Sequence, residues 1–168
     1  MSRPDHDRPG RNALVKEDTT GKRDITVACL GASATAAIGS YDWVHDLELR
    51  PGNASLRFVR FAQGGDLAYN GLQRLSNIIA LSPDNVVILL GENDVMALIS
   101  KKVARFVRLT KHLPGQPSAE WYRETISAIL RRLKHETSAR IALCSLIPVG
   151  EAPDATSPFQ VEANRRIE

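Results

Sequence analysis

Apolar residues are grouped in short blocks along the chain, and these blocks predict strands. Residues 25–30, 86–90 and 141–147 are almost continuously apolar, which is typical of parallel strands covered on both faces. Residues 56–62 carry Arg57 and Arg60 between their apolar residues, a pattern that suits the edge of a sheet better than its centre. We therefore expect four strands, the second of them at an edge.

Between these blocks the apolar residues recur at helical spacing. The pattern predicts helices over residues 41–49, 67–81, 95–109 and 118–136, and another that begins at Pro158. Strands that alternate with helices indicate right-handed βαβ units and an open, mostly parallel sheet, so the predicted fold class is α/β.

The composition fits one folded domain. The chain has 168 residues, of which 43% are hydrophobic and 24% charged, values that are ordinary for a soluble globular domain. Residues 1–23 are charged, contain Pro and Gly, and hold no apolar run long enough for a signal peptide or a membrane span. We predict a disordered polar tail over residues 1–23, one domain over residues 24–168, and a cytoplasmic location.

The net charge of +3 owes much to basic residues on two predicted helices, within residues 101–111 and 131–134. Solvated helix faces explain these clusters, and an anionic partner is the alternative. No aromatic residues interleave them as in a single-strand-binding groove, so no nucleic-acid partner is predicted. Cys29 and Cys144 lie inside apolar runs, which favours core thiols over metal ligands or a disulfide. We expect no metal and no cofactor.

Three loops follow the first three predicted strands, and each begins with glycine. Their sequences are GAS at residues 31–33, GGD at residues 64–66 and GEND at residues 91–94. Because ligands of open parallel sheets bind beyond the carboxyl ends of the strands, we expect these loops to meet in one site. A hydroxyl, backbone N–H groups and a carboxamide are the parts that acyl transfer needs.

Each of these residues also has a purely structural reading. Ser33 can cap a helix, and Gly65 can be a turn glycine. Asn93 and Asp94 can cap the helix that follows them, and for Asp94 we favour that role. The helix over residues 95–109 is predicted to bury Val95, Ile99, Val103 and Phe106, and the segment to residue 117 is either an ordinary covering element or a wall or lid of an acyl pocket.

The motifs LGASAT, GGD and VVILLGENDV resemble, in order and spacing, the first three blocks of the SGNH hydrolases, also called GDSL-type esterases and lipases. RIALCSLIPVGE is similar to the fourth strand of that family and the loop after it, so the resemblance covers residues 24–168. It implies a flavodoxin-like α/β/α sandwich with a mostly parallel sheet. It also implies a serine ester hydrolase that acts on small-molecule acyl or acetyl esters.

Carried over residue by residue, the resemblance implies that Ser33 is the nucleophile and that its N–H forms part of the oxyanion hole. Gly65 would supply a second backbone N–H, and Asn93 a side-chain N–H. Ala32 stands where the family usually has Asp, so the hydrogen bonds of that carboxylate to neighbouring loops are missing. The family's general base and its orienting carboxylate come from a C-terminal Asp-x-x-His block, and no such block follows Ile147.

No other histidine is identified as the base. His45 in DWVH has the Asp-x-x-His spacing, but so short a spacing recurs by chance. His112 and His135 are predicted to be surface residues. We expect a domain truncated at its C-terminus, without its last strand and helix, and a nearly inactive hydrolase. The alternative is a non-catalytic α/β module that keeps the oxyanion pocket for an acylated or anionic ligand. Nucleotide binding is disfavoured because no G-x-G-x-x-G follows the first strand, and the sequence leaves the oligomeric state open.

Overall fold

Strands and helices alternate through residues 24–146 and 158–167, which the computed structural model describes. The strands are β1 (Ile25–Gly31), β2 (Leu56–Ala62), β3 (Asn85–Leu89) and β4 (Arg140–Leu143). The helices are α1 (Trp43–Leu49), α2 (Ala68–Gln73), α3 (Leu75–Leu81), α4 (Glu92–Ile99), α5 (Lys101–Thr110), α6 (Ala119–Glu136) and α7 (Pro158–Ile167). The predicted tail over residues 1–23, residues 147–157 and Glu168 lie outside the described residues.

The four strands form one parallel sheet in the order β2-β1-β3-β4. This is the flavodoxin-like order, in which the chain reverses direction across the sheet between β1 and β3. The prediction that the arginine-containing strand lies at an edge is confirmed, because β2 pairs only with β1 among the described strands.

Helices cover both faces of the sheet. Successive side chains of β1 point to opposite faces, so each face packs against its own set of helices. Ala28 and Leu30 belong to a buried cluster with apolar residues of α2, α3 and α6. Val27 and Cys29 pack instead with Val44 of α1. The predicted α/β/α sandwich is therefore confirmed, and none of its described helices is both long and apolar enough to cross a membrane.

Two predicted helices are each divided in two. The first breaks at Arg74, whose backbone N–H bonds to Gly71 O and Leu72 O in a tight turn between α2 and α3. The second breaks at Ser100, whose extended backbone caps α5 through Oγ and the Val103 N–H at 3.4 Å. The helical phase restarts there, so the prediction that Phe106 is buried is wrong: its exposed fraction is 66%.

The fourth strand is shorter than predicted. Its pairing with β3 ends at Leu143, and Cys144 donates one more backbone hydrogen bond to Ile88 O at 2.9 Å. Because β3 itself ends at Leu89, the residues after Cys144 have no ladder to continue. Cys144 is exposed, which corrects the prediction of a core thiol, whereas Cys29 is buried as expected.

Candidate active site

The three glycine-initiated loops begin side by side at one edge of the sheet. Gly31 at the end of β1 pairs with Ala62 of β2 on one side and with Leu89 of β3 on the other. All three strands run in the same direction, so the residues that follow them emerge at the same edge. The topology therefore places the loops of Ser33, Gly65 and Asn93 next to each other, with the Ser33 loop in the middle.

Ser33 lies in a series of turns rather than at a helix N-terminus. Its carbonyl accepts a hydrogen bond from Ile38 N at 3.0 Å, and the next helix begins only at Trp43. The reading of Ser33 as a helix cap is therefore wrong, and the side chain is partly buried. Thr35 folds back against Gly31 so closely that a Cβ at residue 31 would overlap its side chain, which explains the glycine.

Gly65 lies in a tight turn with φ +75°, a conformation that glycine adopts without strain. A Cβ there would lie 3.2 Å from Cε of Lys111, so the side chain of Lys111 extends along the loop. Among the described residues, neither the Gly65 N–H nor the Ser33 N–H donates a hydrogen bond to another protein group. Within that part of the chain, both donors are without a protein acceptor.

Asn93 lies in the first turn of α4 and contacts the β2 loop. Its Nδ2 donates to Asp66 O at 2.9 Å, so the carboxamide lies beside the peptide that joins Asp66 to Leu67. A carboxamide nitrogen carries two N–H donors, and within the described part of the chain this bond occupies only one of them. The contact connects the second and third loops.

Asp66 connects the three loops through its buried carboxylate and through its backbone carbonyl, which accepts from Asn93 Nδ2. Its side chain is 2% exposed and forms ion pairs with Arg74 and Lys111. Lys111 Nζ also donates to Gly64 O at 2.6 Å, and Arg74 donates a long bond of 3.4 Å to Gly31 O. We refer to Asp66, Arg74 and Lys111 as the loop anchor.

The loop anchor supplies a hydrogen bond between loops that Ala32 cannot make. The resemblance implies lost hydrogen bonds between loops at that position, and Ala32 is buried with 2% exposure. Arg74 donates to Gly31 O at the start of the Ser33 loop and pairs with Asp66 of the Gly65 loop, so it joins these two loops. Sequence reasoning missed this role for all three anchor residues, although the GGD motif itself contains Asp66.

Asp94 does not cap its own helix, which corrects the predicted role. Its Oδ2 accepts a hydrogen bond from Ala68 N at 3.0 Å and so caps α2, the helix that follows the Gly65 loop. Burial of this side chain raises the pKa of the carboxyl from 3.8 to about 7. Asp94 therefore joins α4 to α2 next to Asn93.

We predict that the contribution of Asp94 to stability falls as the pH rises from about 4 to about 7, because over that range the folded protein holds a proton on Asp94 that the unfolded chain releases. The slope from one proton is at most about 1.4 kcal/mol per pH unit. Asp94→Asn keeps an acceptor for the Ala68 N–H but cannot titrate, so it should remove this contribution. Urea unfolding of both proteins across the range measures it, and a difference in unfolding free energy that is the same at every pH would contradict the assignment.

The turn between β3 and α4 also requires glycine. Gly91 has φ +136°, and a Cβ there would lie 2.5 Å from Cδ2 of Leu146 and 2.7 Å from the Tyr122 hydroxyl. That hydroxyl donates to Leu90 O at 3.1 Å, and burial raises the pKa of Tyr122 to about 12. Tyr122 therefore remains a neutral donor that fixes the start of the Asn93 loop.

Within the described residues no histidine is hydrogen-bonded to Ser33. His45 lies on α1, where its ring is 3.4 Å from Glu48, while Asp42 accepts from the backbone N–H of His45 and caps the helix. His135 lines a cleft with Ile25 and Asn85 at the amino ends of the strands, opposite the candidate site. His112 is exposed after α5. The described residues also contain no cluster of His, Cys, Asp and Glu that could hold a metal ion.

Solved structures provide the comparisons for this geometry, since no family model and no curated protein matches the sequence. TesA is 25% identical over 84% of this chain and 69% of its own, with a TM-score of 0.57. The acetyl xylan esterase AlAXEase is 21% identical over 85% and 69%, with a TM-score of 0.62. Axe2, an acetylxylan esterase from Geobacillus stearothermophilus, is 15% identical over 87% and 72%, with a TM-score of 0.64.

Proposed function

The chain has the fold of the SGNH hydrolases, and we propose that it is a serine ester hydrolase for small acyl or acetyl esters. In this proposal Ser33 is the nucleophile. The N–H groups of Ser33 and Gly65 and the side chain of Asn93 form the oxyanion hole. The acetyl xylan esterases among the similar structures support acetyl esters as the substrate class.

The observation that supports the proposal is the set of unused donors on the neighbouring loops of Ser33, Gly65 and Asn93. The backbone N–H groups of Ser33 and Gly65 are unused within the described residues, and Asn93 has one N–H to spare. Unpaired backbone donors in a folded protein are uncommon unless a ligand or water satisfies them. Donors fixed in advance by the loop anchor would stabilise the developing oxyanion without reorganising during the reaction.

The proposed reaction passes through an acyl-enzyme. Ser33 Oγ attacks the ester carbonyl carbon, the carbonyl oxygen becomes an oxyanion held by the three donors, and the alcohol leaves as the intermediate collapses. Water then attacks the acyl-serine and releases the acid. In both attacks the nucleophile loses a proton and the departing oxygen gains one. No described histidine is hydrogen-bonded to Ser33, so water or a buffer base must take up this proton and return it. We therefore propose that these 168 residues alone turn over slowly, near the roughly 10³–10⁴-fold acceleration over water that remains when a serine triad is disabled.

We predict that Asn93→Ala lowers the remaining rate by about 10²–10³-fold, the usual cost of removing one oxyanion donor. Hydrolysis of para-nitrophenyl acetate by the folded protein, corrected for the buffer rate, provides the measurement. Asn77→Ala, which truncates an exposed asparagine of α3, is the matched control and should not change the rate. Equal rates for Asn93→Ala and Asn77→Ala would remove Asn93 from the proposed oxyanion hole.

The second candidate function is binding without catalysis. The position of the described histidines favours it, because a pocket with donors but no base can hold an acylated or anionic ligand without cleaving it. Thermal unfolding with a non-hydrolysable acetyl ester analogue distinguishes the two functions. Stabilisation that depends on Gly65 and Asn93, with no turnover of the matching ester, selects the binding module.

A further inference from the structure

Helix α5 presents an outer face that is both basic and apolar. Six of its residues are exposed on this face: Lys101, Lys102, Arg105, Phe106, Arg108 and Leu109. Phe106 is 66% and Leu109 70% exposed, while Val103, Ala104 and Val107 face inward against Leu67, Ala97 and Leu113. The inner side of the helix is thus already packed, and the outer apolar residues do not belong to that core.

The charges on this face all have one sign. All four charged residues of α5 are basic, and none has an acidic partner within ion-pair distance in the described part of the chain. By contrast, Arg132 of α6 and Arg165 of α7 are paired with carboxylates on their own helices. Between the basic residues lies a shallow cleft of about 380 Å³ lined by Phe106 and Leu109.

We propose that this outer face of α5 docks the protein on an anionic lipid bilayer. Lysine and arginine beside Phe and Leu is the composition of helices that lie in the membrane interface, where the cations contact the headgroups and the apolar side chains enter the acyl boundary. A nucleic acid would leave Leu109 without a suitable contact, and an acidic protein surface would not by itself take up both apolar side chains. The bilayer therefore matches all six exposed residues.

The docking face is connected to the candidate active site through the end of α5. Lys111, directly after the helix, donates to Gly64 O and pairs with Asp66, and its own carbonyl accepts from Asn70 Nδ2 at 3.1 Å. Docking through α5 would therefore hold the loop of Gly65 beside the membrane surface. Docking goes beyond the proposed function and does not depend on it, because lipid binding requires no chemistry at Ser33.

Co-sedimentation of the full chain with lipid vesicles tests the proposal. We expect binding to phosphatidylcholine vesicles that contain about a quarter phosphatidylglycerol, weak binding to pure phosphatidylcholine, and loss of binding at high salt. Lys102→Gln with Arg105→Gln should lower the partition coefficient roughly 30-fold, at about fivefold per charge. Phe106→Ser with Leu109→Ser should lower it by about tenfold or more.

The matched control removes two charges from a different exposed helix. Arg131→Gln with Lys134→Gln on α6 makes the same change in net charge and should bind almost as the wild type does. Circular dichroism shows whether each variant is folded before it is compared. Three results would overturn the proposal: no binding of the wild type to anionic vesicles, equal losses for the α5 and α6 variants, or binding to soluble poly-glutamate in place of vesicles.

Discussion

Ser33→Ala is expected to abolish formation of the acetyl-enzyme and the ester hydrolysis that passes through it. After incubation with para-nitrophenyl acetate, peptide mass spectrometry should find acetyl-serine at residue 33 in the wild type and not in the variant. The reason is that Ser33 Oγ is the proposed attacking atom, and no other proposed group can form the covalent intermediate. In a complete triad the loss of the serine costs on the order of 10⁶ in kcat.

The rate of ester hydrolysis in the presence of added imidazole gives a second, quantitative test of Ser33. Because no described histidine contacts Ser33, a small base from solution should take its place beside a partly buried hydroxyl. The wild-type rate minus the Ser33→Ala rate should then rise with imidazole concentration, and the subtraction cancels direct attack of imidazole on the ester. Ser76→Ala, an exposed serine of α3, should behave as the wild type. The absence of acetyl-serine at residue 33 in the wild type, or equal rates with and without Ser33 at every imidazole concentration, would rule out Ser33 as the nucleophile.

Asp66→Ala is expected to lower the free energy of unfolding by about 3 kcal/mol, the lower end of the range for breaking a buried ion pair. Asp66 is 2% exposed, so its removal leaves the two cations of the loop anchor without their partner. The lower end applies because the side chains of Arg74 and Lys111 are 22% and 17% exposed and can reach water. Urea unfolding measures the change, and Asp66→Asn, which keeps the volume but not the charge, should be intermediate.

Glu136→Ala is the control for the anchor. It breaks an exposed pair with Arg132 on α6, in which both side chains reach solvent, so stability should change little. If Asp66→Ala costs no more than Glu136→Ala, the ion pairs of the loop anchor do not stabilise the fold. If instead Asp66→Ala fails to fold while Asp66→Asn folds with reduced stability, the anchor is supported.

The sheet was predictable because each strand is marked by the residues within it. The apolar runs of β1 and β3 and the arginines of β2 gave both the parallel class and the edge position, since burial on two faces leaves few polar residues in a strand. Helix ends were less predictable. The break at Ser100 depends on a single cap whose signal, a serine before a basic run, is weaker than the apolar periodicity that spans it.

Only the part of the candidate site that lies in short loops after the strands was predictable from the sequence. Ser33, Gly65 and Asn93 each follow a strand closely, so the parallel sheet alone brings their loops to one edge. Asp66, Arg74 and Lys111 are joined by contacts across 8 and 45 positions of the chain. Lys111 reads in the sequence as one more charge on an exposed helix, and only the tertiary packing of α5 brings it to Asp66.

A crystal structure of the protein soaked with an alkylboronic acid is the most direct test of whether the nucleophile and the three donors share one pocket. Boron adds to a serine hydroxyl and mimics the tetrahedral intermediate of acyl transfer. We predict a boronate on Ser33 Oγ with one oxygen about 2.7–3.1 Å from Gly65 N and from Asn93 Nδ2. A boronate on another residue, or one on Ser33 whose oxygens contact neither Gly65 nor Asn93, would contradict the proposed site.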